Sequence, residues 1–339
     1  MKLASIIILN YNGKKFMKDC LSSVYKQTYR KFEVIVVDNS PGDGSANFIR
    51  KNFRKVKIIQ PKKNLGFAEG NNVGVKNSKG EYIVLLNQDT TVDKNWLKEL
   101  IDALEKKNVV ACQSKVLFFN QKNKINVTGI DTNFLGFGWC GNFGIIDKGQ
   151  FKDNEITFPS GVSVIFKKNV FIDVKGFDKD YFTYQEDSDL GWRIRLKGYK
   201  TILASKSLVY HKYSFSRNIG KFYYLERNRI ITLLKNYSVK TLLLILPAFL
   251  LTEIGVIFYS LKNGWFNLKL KGYWWILKNI KKIYKKRRFI QKTRKINDKE
   301  IIKYFTDEIK FKEVEGSPLL DSILNPILSI YWRVIKSFI

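Results

Sequence analysis

The sequence is short of histidine, cysteine and acid. One histidine, His211, stands among 339 residues. A metal site of two or three imidazoles is thereby excluded, and a Ser-His-Asp or Cys-His mechanism would have to use this ring. The three cysteines (Cys20, Cys112, Cys140) are odd in number, widely spaced and form no CxxC pair. Neither a zinc ribbon nor a disulfide framework follows, and a reducing compartment fits best. Acids are outnumbered two to one, 30 against 60 Lys and Arg, for a formal net charge of +30. With 45% hydrophobic and 14% aromatic residues the chain is globular in composition. Its length allows a large core without covalent staples, as one large domain plus an appendage or as two domains.

A charge of this size suits nucleic acid, a membrane surface or phosphate-bearing ligands. Its distribution is uneven. Residues 236–339 hold 20 basic and 8 acidic side chains, and the run Lys278–Lys295 has ten Lys or Arg in eighteen residues and no acid. That run follows the most apolar segment, Leu242–Ser260, which is interrupted by Pro247 and Glu253. Apolar and basic segments in succession favour a lipid surface over nucleic acid, for which no motif is present.

The first apolar run, Leu3–Leu9, is too short for a secretory leader and ends in Asn-Tyr-Asn-Gly, with no small-residue cleavage site. It reads as a buried strand. Further strands are expected at Phe32–Val37, Val56–Gln60 and Tyr82–Leu86. Helices are expected at Lys14–Tyr25, Ser45–Phe53, Phe67–Asn77 and Lys94–Lys106. Alternation of this kind, with continuous apolar strands, implies a parallel sheet covered on both faces. Ligands of such sheets bind outside the carboxyl ends of the strands. Short strands at 162–166 and 201–203 and a helix at Asp189–Lys197 follow, and the C-terminus, Leu319–Ile339, is amphipathic.

Several residues at the strand ends have the chemistry of a nucleotide-handling site. Asp38 directly follows the strand FEVIVV. A carboxylate there can accept the N3–H of a uracil or thymine ring, though alone it reads more readily as a turn or helix cap. The segment Asn64-Leu65-Gly66-Phe67-Ala68-Glu69-Gly70-Asn71-Asn72 opens a helix and suits a phosphate or ribose platform as well as an ordinary turn. It is neither GxGxxG nor a P-loop. Asp89, in Asn87-Gln88-Asp89, follows the strand YIVLL. It can hold a hard divalent cation that takes its remaining ligands from phosphate oxygens, or it is a turn residue. Residues 177–193 pack Asp178, Glu186, Asp187 and Asp189 among Phe177, Tyr181, Phe182, Tyr184 and Trp192. Acids enrich helix starts for the dipole, but a cluster this dense suits a general base beside aromatic sugar platforms. His211 ends a short apolar run and alone reads more readily as a structural residue.

Taken together these elements resemble glycosyltransferase family 2, the inverting enzymes of GT-A fold, and especially its rhamnosyltransferase-like branch. The resemblance runs from Ser5 to about Pro247, through SIIILNYNG, VVDNSPGDGS, NLGFAEGNN, LLNQDT, GFDKDYFTYQEDSDLGWRIRLKGY and LVYHK in the family's order. It implies a mostly parallel, Rossmann-like sheet flanked by helices, with a helical, basic C-terminal extension. The implied division is a catalytic domain at 1–236, nucleotide-sugar-binding over 1–110 and acceptor-side over 111–236, followed by an extension at 237–339. Asp38 would bind the nucleobase. Asn10, Tyr11, Asn12, Asn39 and Asn87 would lie on the nucleotide-sugar side, with Gly66, Phe67 and Asn71 along the ribose and diphosphate. Asp89, at the last position of the family's DxD motif, and His211 would hold Mg²⁺ or Mn²⁺. Asp187 would be the catalytic base, with Glu186 beside it, and Tyr184, Trp192 and Arg193 would face the acceptor. Two departures stand out. Asn87 replaces the first acid of DxD, which weakens the metal site. The QxxRW motif of processive synthases is missing after the acidic cluster, which argues for adding one or a few sugars.

The implied donor is a UDP- or dTDP-sugar, rhamnose among the candidates, and the acceptor a glycan or lipid-linked sugar in polysaccharide or cell-surface glycan synthesis. The rival readings are a sugar nucleotidyltransferase, whose Gly-rich signature is missing after the first strand, a basic nucleic-acid-binding protein, and an inactive scaffold. The expected location is the cytoplasmic face of the cell membrane, peripheral or monotopic. A single span at Leu242–Ser260 would put the basic run opposite the catalytic domain, against the positive-inside tendency. Helices in the interface, or a shallow re-entrant pair, are therefore expected against anionic headgroups. The alternative is packing on the catalytic domain or in a homo-oligomer.

Overall fold

The computed structural model describes residues 1–213, 218–310 and 320–339. The chain divides into two compact units. One comprises Met1–Ile130, Cys140–Thr183 and Tyr199–Ser214; the other comprises Asp131–Trp139, Tyr184–Gly198 and Phe215–Ile339.

The first unit is built on strands β1 (Ala4–Asn10), β2 (Phe32–Asp38), β3 (Lys57–Ile59), β4 (Tyr82–Asn87), β5 (Thr90–Val92), β6 (Val109–Phe118) and β7 (Ile125–Val127). Strands β8 (Ile130–Thr132) and β9 (Gly138–Cys140) form a separate two-stranded ribbon. Strands β10 (Ser163–Lys167) and β11 (Lys200–His211) complete the main sheet, in the order β3-β2-β1-β4-β10-β6-β11-β5, with β7 on β6. The block β3-β2-β1-β4 is parallel, as the alternation predicts, and β11 lies parallel to β6. Strands β10, β5 and β7 run antiparallel to their neighbours, so the sheet is mixed. β-Branched and aliphatic runs form these strands because both sheet faces are covered: Ile6, Ile7 and Ile8 are all fully buried.

Helices α1 (Lys14–Val24), α2 (Ser45–Asn52), α3 (Gly66–Lys76), α4 (Trp96–Leu104) and α5 (Lys168–Asp173) belong to this unit. The inner face of α4 repeats every three to four residues through Trp96, Leu97, Leu100, Ile101 and Leu104. The Trp96 indole donates to Ser114 Oγ at 3.0 Å and Ser163 Oγ at 2.9 Å, so α4 is fixed to β6 and β10 together. Helix α3 lies close to the sheet because Gly70 and Gly74 face Leu9 and Ile7, where an added Cβ would overlap those side chains.

The second unit is mostly helical: α6 (Glu186–Leu196), α7 (Lys221–Asn236), α8 (Val239–Lys262), α9 (Phe266–Lys278), α10 (Ile280–Thr293), α11 (Asp298–Ile302) and α12 (Asn325–Ile335). The expected division at 236 and the compact units differ, because α6 and α7 pack with the C-terminal helices. Fully buried Asp189 ties α6 to α7. It accepts from Arg193 Nε at 2.9 Å, Lys235 Nζ at 3.0 Å and Asn236 Nδ2 at 3.0 Å.

A second buried polar cluster joins α7, α8 and α9. Glu226 accepts from Arg229 at 3.0 Å and Lys269 at 2.7 Å. Glu253 pairs with Arg229, accepts from Lys269 at 2.9 Å and accepts from the Tyr273 hydroxyl. Two anions and two cations balance. Burial pushes the Glu253 carboxyl upward, but Arg229 and Lys269 outweigh it and hold the group at about 2. The folded value lies below the ordinary Glu range, so this stabilisation is complete above that range and disappears as pH falls toward 2. Glu253→Ala leaves one positive charge of the buried cluster unbalanced and should lose about 3–5 kcal/mol in urea unfolding at neutral pH. The gap between wild type and variant should narrow as pH falls below about 4.

Candidate functional site

The carboxyl ends of β2, β1 and β4 stand side by side, because Asn10 pairs with Asp38 and Leu9 with Asn87 in the parallel register. Asp38 is buried, with Oδ1 accepting from Asn10 Nδ2 at 2.9 Å and Oδ2 from Gln60 Nε2 at 3.1 Å. Asn10 Oδ1 is buried without a protein partner, an acceptor left for a ligand donor. Tyr11 is half-exposed, and its backbone is clamped at both ends by one side chain. Its N–H donates to Gln88 Oε1 at 2.8 Å, and its carbonyl accepts from Gln88 Nε2 at 2.9 Å. Asn12, in left-handed backbone at φ 50°, donates its N–H to Ser40 Oγ at 2.8 Å.

Asn39 holds the next loop in place. Its Oδ1 accepts from Leu65 N–H at 2.8 Å, and its Nδ2 donates to Asn64 Oδ1 at 2.8 Å and Gly66 O at 3.2 Å. The first amides of α3 are already taken. Phe67 and Ala68 donate to the Phe182 carbonyl at 2.6 and 3.1 Å, and Gly66 donates to Asn64 Oδ1 at 2.8 Å. The expected phosphate platform is thereby corrected: Gly66 and Phe67 offer a surface, and their donors are not available. Asn71 is buried and donates to Phe67 O at 2.9 Å, within its own helix.

Asp89, half-buried after β4, meets His211 at the end of β11, with Nε2 and Oδ1 3.2 Å apart. Asn126 Oδ1 faces His211 Nδ1 at 2.8 Å. A neutral ring with its proton on Nδ1, given to Asn126, would present Nε2 beside the carboxylate as a ligand. The gap is close to the roughly 3 Å that separates adjacent ligands on an octahedral ion with bonds of about 2.1 Å. Among the described residues no group of three or more His, Cys, Asp and Glu converges on one point. The pair therefore fits a hard divalent ion as two ligands, with phosphate oxygens or water to supply the rest. Asn87 contributes backbone here: its N–H donates to Val162 O at 2.9 Å and its carbonyl accepts from Thr90 Oγ1 at 2.7 Å.

The acidic cluster belongs to the other unit, at the start of α6. The chain enters it through left-handed backbone at Phe182, Tyr184 and Gln185, with φ 65°, 66° and 68°. Non-glycine residues held there mark stored strain of the kind found at functional sites. Gln185 Nε2 donates to Gly136 O at 3.3 Å, and Asn228 Nδ2 donates to Tyr184 O at 2.8 Å, which fixes the turn. Glu186 is buried, and its Oε2 has no hydrogen-bond partner. Burial first, and then the neighbouring Asp187 charge, push its carboxyl well above the ordinary range, which favours the neutral acid. Asp187 is half-buried, accepts Ser188 N–H at 2.8 Å and lies in the first turn, where the helix dipole favours a carboxylate. Tyr184 is 37% exposed and free to face a substrate.

Trp192 and Arg193 require correction as acceptor-side residues. Trp192 is 0% exposed and packs edge-on against Tyr237 and Phe305, with centroids 4.7 and 4.8 Å away. Arg193 is buried against Asp189 at 2.8 Å. Both stabilise the helix that carries Asp187. Gln60, Gln88, Asn126 and the Phe182 carbonyl are contributors that sequence reasoning passed over. Gln88 lay inside a quoted motif, whereas nothing around Asn126 on β7 marked it as the partner of a histidine 85 residues away.

A mixed sheet flanked by helices, with the parallel block β3-β2-β1-β4 ending in Asn10, Asp38 and Asn87, is a GT-A-like fold. Solved structures agree in fold. GalNAc-T7, solved with UDP, GalNAc and Mn²⁺, matches with a TM-score of 0.61 at 16% identity, covering 71% of this chain and 49% of that one. TarS 1–349 of S. aureus in complex with UDP matches with a TM-score of 0.54 at 19% identity, covering 99% and 90%. Residues 5–175 match the model of Glycosyl transferase family 2, and the chain belongs to that family. Poly-beta-1,6-N-acetyl-D-glucosamine synthase of Staphylococcus aureus (strain N315) is 27% identical over 201 residues, 58% of this chain and 46% of the synthase. An uncharacterized glycosyltransferase of Haemophilus influenzae is 27% identical over 130 residues, 38% of this chain and 40% of its own length. The chain thus spans about half the length of these relatives.

Gly66 gives a direct test of the loop geometry. It sits at φ +74°, and an added Cβ would overlap the Phe182 carbonyl oxygen. Gly66→Ala should lose at least about 1–2 kcal/mol in thermal unfolding, from the left-handed backbone alone. It should also raise the donor KM.

Proposed function

We propose that the protein transfers a sugar from a UDP- or dTDP-sugar to a hydroxyl of a glycan or lipid-linked acceptor, with inversion at the anomeric carbon. The observation that carries this reading is the opposition of Asp89 and His211 beside the Asn10–Asp38 strand ends. It is the donor set that a nucleoside diphosphate and its cation require. GalNAc-T7, solved with UDP, GalNAc and Mn²⁺, and TarS 1–349, solved with UDP, support a uridine nucleotide and a divalent ion here.

Asp38, with Asn10 beside it, takes the pyrimidine edge, and exposed Tyr11 lies against the nucleotide. Asp89 and His211 hold Mg²⁺ or Mn²⁺. When bound, the ion offsets the negative charge that develops on the departing diphosphate. Asp187 takes the proton from the acceptor hydroxyl as that oxygen attacks the anomeric carbon. The nucleoside diphosphate leaves from the opposite face, so a single displacement inverts the configuration. Glu186, neutral in its buried place, keeps a second negative charge away from Asp187 and acts by positioning. Tyr184 offers the acceptor sugar an aromatic face. Addition of one or a few sugars is favoured over long polymerisation, and the site of action is the cytoplasmic face of a membrane.

A screen of nucleotide sugars with Mg²⁺ and Mn²⁺, read by nucleoside diphosphate release, identifies the donor. With that donor, Asp187→Asn should lower kcat by about 10²–10⁴-fold while leaving donor binding nearly unchanged. Glu186→Gln, which keeps shape and neutrality, should retain most of the turnover. Equal losses in both variants would reverse the assignment of the base. Asp89→Ala and His211→Ala should each weaken donor binding and raise the metal concentration needed for half-maximal rate. A retained anomeric configuration in the product, seen by NMR, would refute the single displacement.

A further inference from the structure

Among the described residues, α8 is the one helix long and apolar enough to cross a membrane. Its two faces differ sharply. Thr241, Ile245, Ala248, Thr252, Glu253 and Ser260 are buried. Leu243, Leu246, Leu250, Ile254, Phe258 and Leu261 are exposed and recur every three to four residues. The outer stripe contains no charge between Lys240 and Lys262. It runs over nineteen residues, Leu243–Leu261, or about 27 Å of helix. Helix α12 packs against α8, with the Tyr331 hydroxyl donating to Leu244 O at 2.7 Å. It adds a second set of exposed apolar side chains, Ile327, Ile330, Val334 and, just past the helix, Phe338. A soluble surface rarely leaves so much apolar area uncovered.

The inner face of α8 is tied to its neighbours. Its midpoint carboxylate, Glu253, is held by Arg229 of α7 and Lys269 of α9. Separating α8 from that layer would leave two buried cations to share the single carboxylate of Glu226. Helix α9 packs against both α8 and α10. Arg287 and Gln291 fix α10 by donating to the last carbonyls of α7, at 2.5–2.6 Å for Arg287 and 3.0–3.3 Å for Gln291. This leaves Lys281, Lys282, Lys285 and Arg288 exposed, with Ile280 and Tyr284 among them. On α9 exposed Trp274, Leu270 and Leu277 alternate with Lys271 and Lys278. Aromatic edges and long ammonium side chains beside an apolar ridge are the chemistry of a headgroup boundary.

We infer that α8 and α12 form an in-plane membrane anchor, seated in one leaflet through their outer stripes, with α9 and α10 presenting lysines to anionic headgroups. This rests on the reading that the enzyme works at a membrane, and it specifies the face, the depth and the lipid charge. The occupant is lipid, not a second copy, because the adjoining helix carries a basic surface that two copies would have to bring against each other.

Full-length protein should float with vesicles containing about one-third phosphatidylglycerol and bind phosphatidylcholine vesicles at least tenfold more weakly. Lys281→Glu with Lys285→Glu should erase that preference. Leu250→Glu with Phe258→Glu, both exposed and tolerated by the fold, should abolish flotation on both kinds of vesicle. An impermeant maleimide, added outside in a Cys140→Ser background, should label Lys240→Cys and Lys262→Cys alike. Protection of one end would show a span and overturn the inference. So would flotation that survives the Leu250 and Phe258 changes, or a change from dimer to monomer on making them while wild type ignores vesicles. Nucleoside diphosphate release by the soluble protein is read in parallel, so a failed anchor and a failed assignment of activity are told apart.

Discussion

The parallel register of β2, β1 and β4 is the constraint from which the donor site follows. Once Asn10 stands opposite Asp38 and Leu9 opposite Asn87, three polar termini meet along one sheet edge. Buried aliphatic strands drive that alignment, since a slip of one residue would turn every side chain to the wrong face. The polar residues at the ends are carried into place by the packing behind them. The loops then lock to one another through amide side chains: Gln88 on Tyr11, Asn39 on the turn at 64–66, Asn126 on His211. Neutral clamps of this kind hold geometry without adding charge beside Asp38 and Asp89.

Charge is handled differently in the second unit. There the acids lie in the interior and are balanced, Asp189 by Lys235 and Arg193, and Glu226 and Glu253 by Arg229 and Lys269. The excess of lysine is left on the outside, most densely on α10. A net charge of +30 is therefore the sum of a nearly neutral interior and a strongly basic surface. Glu186 is the exception, a buried carboxyl with no cation to balance it.

Much of this was legible in the amino-acid order. Continuous apolar runs closed by Asn, Asp and Gly marked β1, β2 and β4, and the residues that follow them are those the sheet gathers. The antiparallel strands were harder, because β10 and β5 are short and their partners are distant in the chain. Trp192 shows where pattern reading failed. An aromatic next to an acidic cluster suits a sugar platform and a helix core equally well, and only burial against Tyr237 and Phe305 separates the two. The role of Asn126 was invisible for a related reason, since it depends on a contact made by folding alone. The apolar and basic segments of the C-terminal region were plain in sequence. That Glu253 is tied inward, leaving one face of α8 bare, was not.

The left-handed backbone at Tyr184 and Gln185 sets stability and precision against each other. A glycine at either position would relieve that backbone strain, and at Gln185 it would also remove the bond to Gly136 O. It would also widen the range of directions in which the first turn of α6 can aim its carboxylate. Relief of strain and selection for turnover would therefore pull these two residues in opposite directions, and a more robust form of this enzyme is better sought in the surface loops far from α6.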